Sequence, residues 1–151
     1  MKDTRHIVAV VGAKRRGPQV APVPSSSIMA VTLSSSGSNF VFHDPANGEE
    51  LHGPENVKRY AAMLRVAFPD LHQTIEEQIA EGDKVAYRWT ARGTHQGELM
   101  GLAPTGNRVL STGISIARLS EGKIEEIWEN YDALGMMQQI GAVPSPEEAQ
   151  A

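Results

Sequence analysis

Three side chains in this sequence are candidates for a reactive pocket: the carboxylate of Asp132 and the imidazoles of His95 and His43. Asp132 closes the aromatic-rich stretch IWENYD, and strand alternation puts Trp128, Asn130 and Asp132 on one face. An aspartate among Trp and Leu neighbours loses hydration, which raises its pKa toward the range useful for proton abstraction. The same position, just ahead of Leu134, also suits an aspartate that caps a helix. On the residues alone both readings stay open. His95 lies in GTHQG, where Gly93 and Gly97 permit a bend. A neutral imidazole there could donate to a negatively charged oxygen or pass a proton, or it could merely tie down a loop. His43, in FHDP, is a third polar group, although Asp44-Pro45 reads as turn chemistry. Arg88 could meet a substrate ester or carboxylate; an ion pair with a glutamate on a neighbouring strand is the competing use.

Other chemistries are disfavoured by spacing. His43, His95 and Asp132 contain no close-set pair of ligands, so no metal is expected. GLAPTG lacks the Lys-Ser/Thr pair of a phosphate loop, and no G-x-S-x-G elbow occurs. Cysteine is absent, which removes disulfides and thiolate catalysis together. Met63, Met100, Met136 and Met137, with Trp89, Trp128, Tyr87 and Phe68, read mostly as core, some of them lining an apolar pocket suited to a small, flat aromatic ligand.

These residues need elements to position them. At 151 residues the chain reads as one domain. Residues 1–39 form an atypical Pro/Ser/Gly-rich segment, with one short strand conceivable at Ile28–Leu33. Its first part carries Lys2, Arg5, Lys14, Arg15 and Arg16 against Asp3, whereas the whole chain is at −4, so the body is acidic and no nucleic-acid partner is expected. No apolar run is long enough for a membrane span and no clean leader cleavage site follows IVAVVGA, so the expected location is cytoplasmic.

From residue 40 the pattern tightens. PENVKRYAAMLRVAF (54–68) places Val57, Tyr60, Ala61, Leu64 and Phe68 on one helical stripe, and Pro69 ends it. Strands are predicted over about 71–79, 85–94, 107–119 and 123–134, with AEGDK and SEGK as turns. In the second of these, Val85, Tyr87, Trp89 and Ala91 share one face. A short helix at 134–141 and a polar tail, 142–151, complete an α+β chain.

The ordered set H-D-P, A-F-P-D-L, G-T-H-x-G and W-x-x-x-D-x-L-G-x-x-x-Q, spread over residues 40–141, resembles the SnoaL-like polyketide cyclase (ester cyclase) family of the nuclear transport factor 2-like superfamily. The resemblance implies a cone-shaped, curved antiparallel sheet with helices on its concave side. It also implies N-terminal helices closing the cone; residues 1–39 lack their period and caps, so these are expected to be atypical or missing. The implied activity is a cofactor-free, intramolecular aldol-type ring closure on a polyketide ester. Asp132 then becomes the expected acid/base residue, with His95 as its catalytic partner. His43, Arg88, Trp128, Asn130, Tyr87 and Met100 are the expected substrate contacts. Isomerase, dehydratase and epoxide hydrolase chemistry, or non-catalytic ligand binding, are the alternatives, because the fold alone does not fix a reaction. Apolar cone surface is normally covered, so a homodimer is expected.

Overall fold

The computed structural model describes residues 36–48 and 50–150. The expectations for the basic head, a strand at Ile28–Leu33 and the closing N-terminal helices lie outside the described residues. Among these residues six strands form one sheet: β1 (Ser36–His43), β2 (Leu51–His52), β3 (His72–Glu81), β4 (Lys84–Thr94), β5 (Arg108–Ser120) and β6 (Lys123–Tyr131). Their order is β2-β1-β6-β5-β4-β3. Two helices, α1 (Pro54–Ala67) and α2 (Ala133–Gln139), accompany the sheet. β1 opens at Ser36, ahead of the boundary expected at residue 39.

The α+β class and the curved sheet are as expected, but the sheet is mixed. β1 runs parallel to β6, while β3, β4, β5 and β6 are joined antiparallel. Strands joined by tight hairpins must be antiparallel; β1 is far from β6 in sequence and is free of that constraint. The β5–β6 hairpin shows the local rule plainly. Its central residues Glu121 and Gly122 both have positive φ (49° and 77°), the conformation whose twist matches paired strands.

α1 forms where its stripe demanded. Pro54 occupies the first turn, and Val57, Ala61 and Ala67 are buried against the sheet. The chain turns at Phe68, whose N–H closes on the Leu64 carbonyl at 2.8 Å. Two apolar clusters result. Phe40, Phe42, Val57, Ala117, Ile124 and Ile127 pack together toward one end of the sheet. Ala67, Phe68, Leu99, Val109 and Ile140 pack toward the other.

β5 alternates without interruption: Val109, Ser111, Gly113, Ser115 and Ala117 are inward, and the residues between them are outward. β6 does not. Arg118 pairs with Glu126 while Leu119 pairs with Ile124, so Glu125 is an extra residue bulged out of the ladder. The bulge inverts the parity of everything after it. Ile124 is inward, and beyond the bulge the inward residues are Ile127, Glu129 and Tyr131.

Candidate functional site

Between the two clusters the inner face of the sheet and α1 leave an apolar cavity of about 110 Å³. A buried water needs only about 10–15 Å³ on the same measure, so this is room for a guest larger than solvent. Phe42, Ile127, Tyr87, Trp89 and Val109 furnish its sheet wall, Val57, Tyr60 and Leu64 its α1 wall, and Met136 its edge at α2. Among the described residues one carboxylate faces this space: Glu129.

Glu129 is held by a chain of hydrogen bonds that runs one way. The Trp89 indole N–H donates to Ser115 Oγ at 3.0 Å, and the Ser115 hydroxyl donates to Glu129 Oε2 at 2.9 Å. Because indole can only donate, the serine hydroxyl must turn its proton toward the carboxylate. Ser115 is directly opposite Glu129 across the β5–β6 ladder and fully buried. Burial pushes the Glu129 carboxyl up to about 7; the Ser115 hydrogen bond opposes this, and the Asp44 charge adds to it. A carboxylic acid that titrates near neutrality is suited to take and return a proton.

A polar cluster sits beside it. Asp44 is 3% exposed and accepts from Ala46 N (2.9 Å) and Asn47 Nδ2 (2.8 Å), which makes it the cap of a short 3-10 turn, Pro45–Asn47. The turn chemistry read from Asp44-Pro45 is therefore present. The Tyr60 hydroxyl reaches Asp44 Oδ2 at 3.4 Å. Burial raises the Asp44 carboxyl, although those hydrogen bonds pull it down. Tyr131 is pushed up to about 12, by burial first and then by Asp44 and Glu129. Tyr60 and Tyr87 are raised further, again by burial first. All three phenols line the cavity as neutral donors at ordinary pH.

The residues singled out in the sequence are mostly elsewhere. Asp132 is exposed and caps α2, accepting from Gly135 N at 2.9 Å through Oδ1. Trp128, Asn130 and Asp132 belong to one parity class, as read, but the bulge at Glu125 turns that class away from the cavity. Trp128 stacks on His43 with ring centroids 5.4 Å apart and a 6° interplanar angle. His43 bridges Glu50 (2.9 Å) and Glu126 (2.8 Å) on that outer face. Asn130 is exposed. Arg88 lies opposite Glu77 in the β3–β4 register, at 3.6 Å, and does not border the cavity. Met100 is 66% exposed in a loop with φ of 52°. Of the expected contacts, Tyr87 is the one that lines the cavity.

His95 is fully buried yet outside the cavity wall. Its ring tilts against Phe68 at 5.7 Å, and Nδ1 meets Thr105 Oγ1 at 3.0 Å. Its backbone N donates to Asn107 O at 2.9 Å, and its carbonyl accepts from Gly106 N at 2.8 Å. Gln96 and Gly97 both donate to the Ala67 carbonyl, at 2.9 and 3.1 Å, and a side chain at 97 would collide with the Val66 carbonyl. GTHQG thus sews the end of β4 to α1 and to the loop returning into β5. His43, His95 and Asp132 occupy three separate settings, and among the described residues no cluster of His, Asp and Glu could hold a metal ion.

The cap assignment carries its own prediction. Asp132→Asn should preserve stability, since asparagine caps equally well, whereas Asp132→Ala should cost about 1 kcal/mol in denaturant unfolding. Equal losses in both variants would contradict the cap.

Comparison with known proteins agrees with this architecture. The sequence profile of the SnoaL-like polyketide cyclase family matches residues 35–140. The aklanonic acid methyl ester cyclase DnrD of Streptomyces peucetius is 33% identical over 107 residues, spanning 70% of this chain and 71% of that protein. Among solved structures, AclR, a hydroxylase candidate from Streptomyces galilaeus, superposes with a TM-score of 0.69 at 29% identity, over 80% of this chain and 75% of its own. IdmH, a polyketide cyclase candidate from Streptomyces antibioticus, superposes at 0.67 and 26% identity, over 93% and 99%. With its sheet order, its inward cavity and a family profile spanning most of its length, the chain belongs to the SnoaL-like polyketide cyclase family.

Proposed function

We propose that the chain closes a ring in a polyketide ester by an intramolecular aldol reaction, with Glu129 as the general base. The observation that carries this reading is the desolvated Glu129 carboxylate, oriented by Ser115 and Trp89 toward an apolar cavity. Glu129 takes a proton from a carbon flanked by two carbonyls, and the carbanion attacks a ketone carbon within the same molecule. A carbon–carbon bond forms, the ketone oxygen becomes an alkoxide, and the proton on Glu129 returns to it. Nothing is gained or lost overall, so the step consumes no co-reactant. The substrate's own carbonyls acidify the carbon and spread the charge, and the Tyr131 hydroxyl is the donor for the resulting oxyanion. The test is incubation with aklanonic acid methyl ester, the compound in the name of the relative, with the cyclised isomer followed by chromatography. Conversion supports the proposal, and no conversion by the intact chain sinks it.

The outer sheet face supports a homodimer. Ile79 (67% exposed), Leu110 (48%), Ile114 (55%) and Ile116 (39%) project from β3 and β5 without cover among the described residues. Ala86 and Trp128 lie in register with Ile116, extending the patch across the sheet. Glu77 and Arg88 flank it with opposite charges, which a twofold contact could pair reciprocally. Light scattering should then give twice 16.3 kDa for the chain and a single protomer for Ile114→Lys. A wild-type mass of one protomer would contradict the dimer. No helix of the described residues is long and apolar enough to cross a membrane; with no cysteine to oxidise, the cytoplasm is the proposed location.

A further inference from the structure

The β5 face that holds Ser115 behind Glu129, which borders the cavity, presents Ser111 to the cavity directly. Ser111 is 6% exposed, lines the cavity, and its hydroxyl has no hydrogen-bond partner among the described residues. Buried hydroxyls are normally paired, so an orphan beside an open cavity points to a partner that enters from outside. Its surroundings offer none: Ala91 lies opposite it on β4, and Val109 and Met136 line the cavity with it. Midway between the serines, Gly113 makes room for Trp89, because a side chain there would run into the indole's six-membered ring. The indole therefore forms an apolar stretch between two polar ends.

We propose that Ser111 is a specificity-determining residue: its hydroxyl hydrogen-bonds an oxygen at the far end of a planar ligand whose near end reaches Glu129. Glu129 lies opposite Ser115 across the β5–β6 ladder, and four residues of extended strand separate Ser115 from Ser111, about 13 Å. A hydrogen bond of about 2.8 Å at each end leaves about 7 Å between the ligand's two polar atoms. That span fits a fused bicyclic or larger aromatic frame carrying oxygens at opposite ends, and it excludes a short-chain keto ester. The proposal rests on reading the cavity as the substrate site, but not on Glu129 acting as a base.

The probe pair is 2,6-dihydroxynaphthalene and 2-naphthol, which share one ring frame and differ by the distal hydroxyl. In calorimetric titrations the intact chain should bind the diol about tenfold more tightly than the mono-ol, the worth of one buried hydrogen bond. Ser111→Ala should erase that advantage, leave 2-naphthol binding unchanged, and unfold at the same or a higher temperature, because it removes an unpaired group. A structural role for Ser111 would instead lower the unfolding temperature and weaken both ligands alike. The proposal is overturned if the diol's advantage survives in Ser111→Ala, is absent from the intact chain, or if neither probe binds. Since the readout is binding, a catalytically competent Glu129→Gln variant would defeat the cyclase mechanism and leave this result standing.

Discussion

Glu129→Gln should lower turnover of a cyclisable polyketide ester about 10²- to 10⁴-fold, the usual contribution of a positioned base. Glutamine matches glutamate in shape, and its amide oxygen can still accept from Ser115 at the position now held by Oε2. What it cannot do is accept a proton from carbon at neutral pH. The loss should therefore fall on kcat, with binding of 2-naphthol retained, because the cavity walls are untouched. Asp132→Asn is the informative contrast. An exposed helix cap, turned away from the cavity by the bulge at Glu125, should leave turnover unchanged. The opposite pattern, an active Glu129→Gln and an inactive Asp132→Asn, would restore the role that strand alternation alone assigns to Asp132.

The same substitution should make the protein more stable in alkali. A glutamate at the ordinary value of 4.5 when unfolded and about 7 when folded keeps, in the native state, a proton that the unfolded chain has already released. Between those two values stability falls as pH rises; below 4.5 there is no cost, and above 7 the cost is complete. The shift corresponds to about 3 kcal/mol. Glu129→Gln carries no such charge, so at pH 8 its unfolding free energy should exceed that of the intact chain by up to this amount, and the gain should vanish near pH 4. Denaturant titrations at the two pH values measure it. A variant less stable than the intact chain at pH 8 would mean that the carboxylate is well solvated or paired. The rate should mirror the stability: kcat/KM rises with pH up to about 7 and then levels, since the ionised form is the base. An ionised carboxylate that folding strains is the form that abstracts protons, a familiar trade between stability and activity.

How far the sequence could be read follows from these two residues. The stripe Val57-Ala61-Phe68, the tight turns and the inward set Tyr87, Trp89 and Ala91 are local patterns, and they stand in the structure as expected. The ordered motifs also pointed to the right family. Glu129 is not legible in the sequence, because the face it takes depends on one bulged residue. Without Glu125 out of register, Trp128 and Asn130 would share the inward face with Ile124; with it, Ile127, Glu129 and Tyr131 do. No residue type in KIEEIWENY marks that break. The structure shows the break in the burial of both Ile124 and Ile127, since two residues three apart cannot both face inward on a regular strand. The setting of His95 is illegible in the sequence for a different reason. Glycines beside a histidine signal a bend, yet whether the ring points at a cavity or into packing depends on α1, Phe68 and Thr105, which are distant in sequence.

The most direct test is to watch the carboxylate itself. Carbon-13 NMR of the chain labelled at glutamate side-chain carboxyls, with the Glu129 resonance identified by its absence from Glu129→Gln, should show that carboxyl titrating with a midpoint near 7. A midpoint near 4.5 would mean a hydrated carboxylate that folding has not tuned, and the assignment of Glu129 as the base would be wrong.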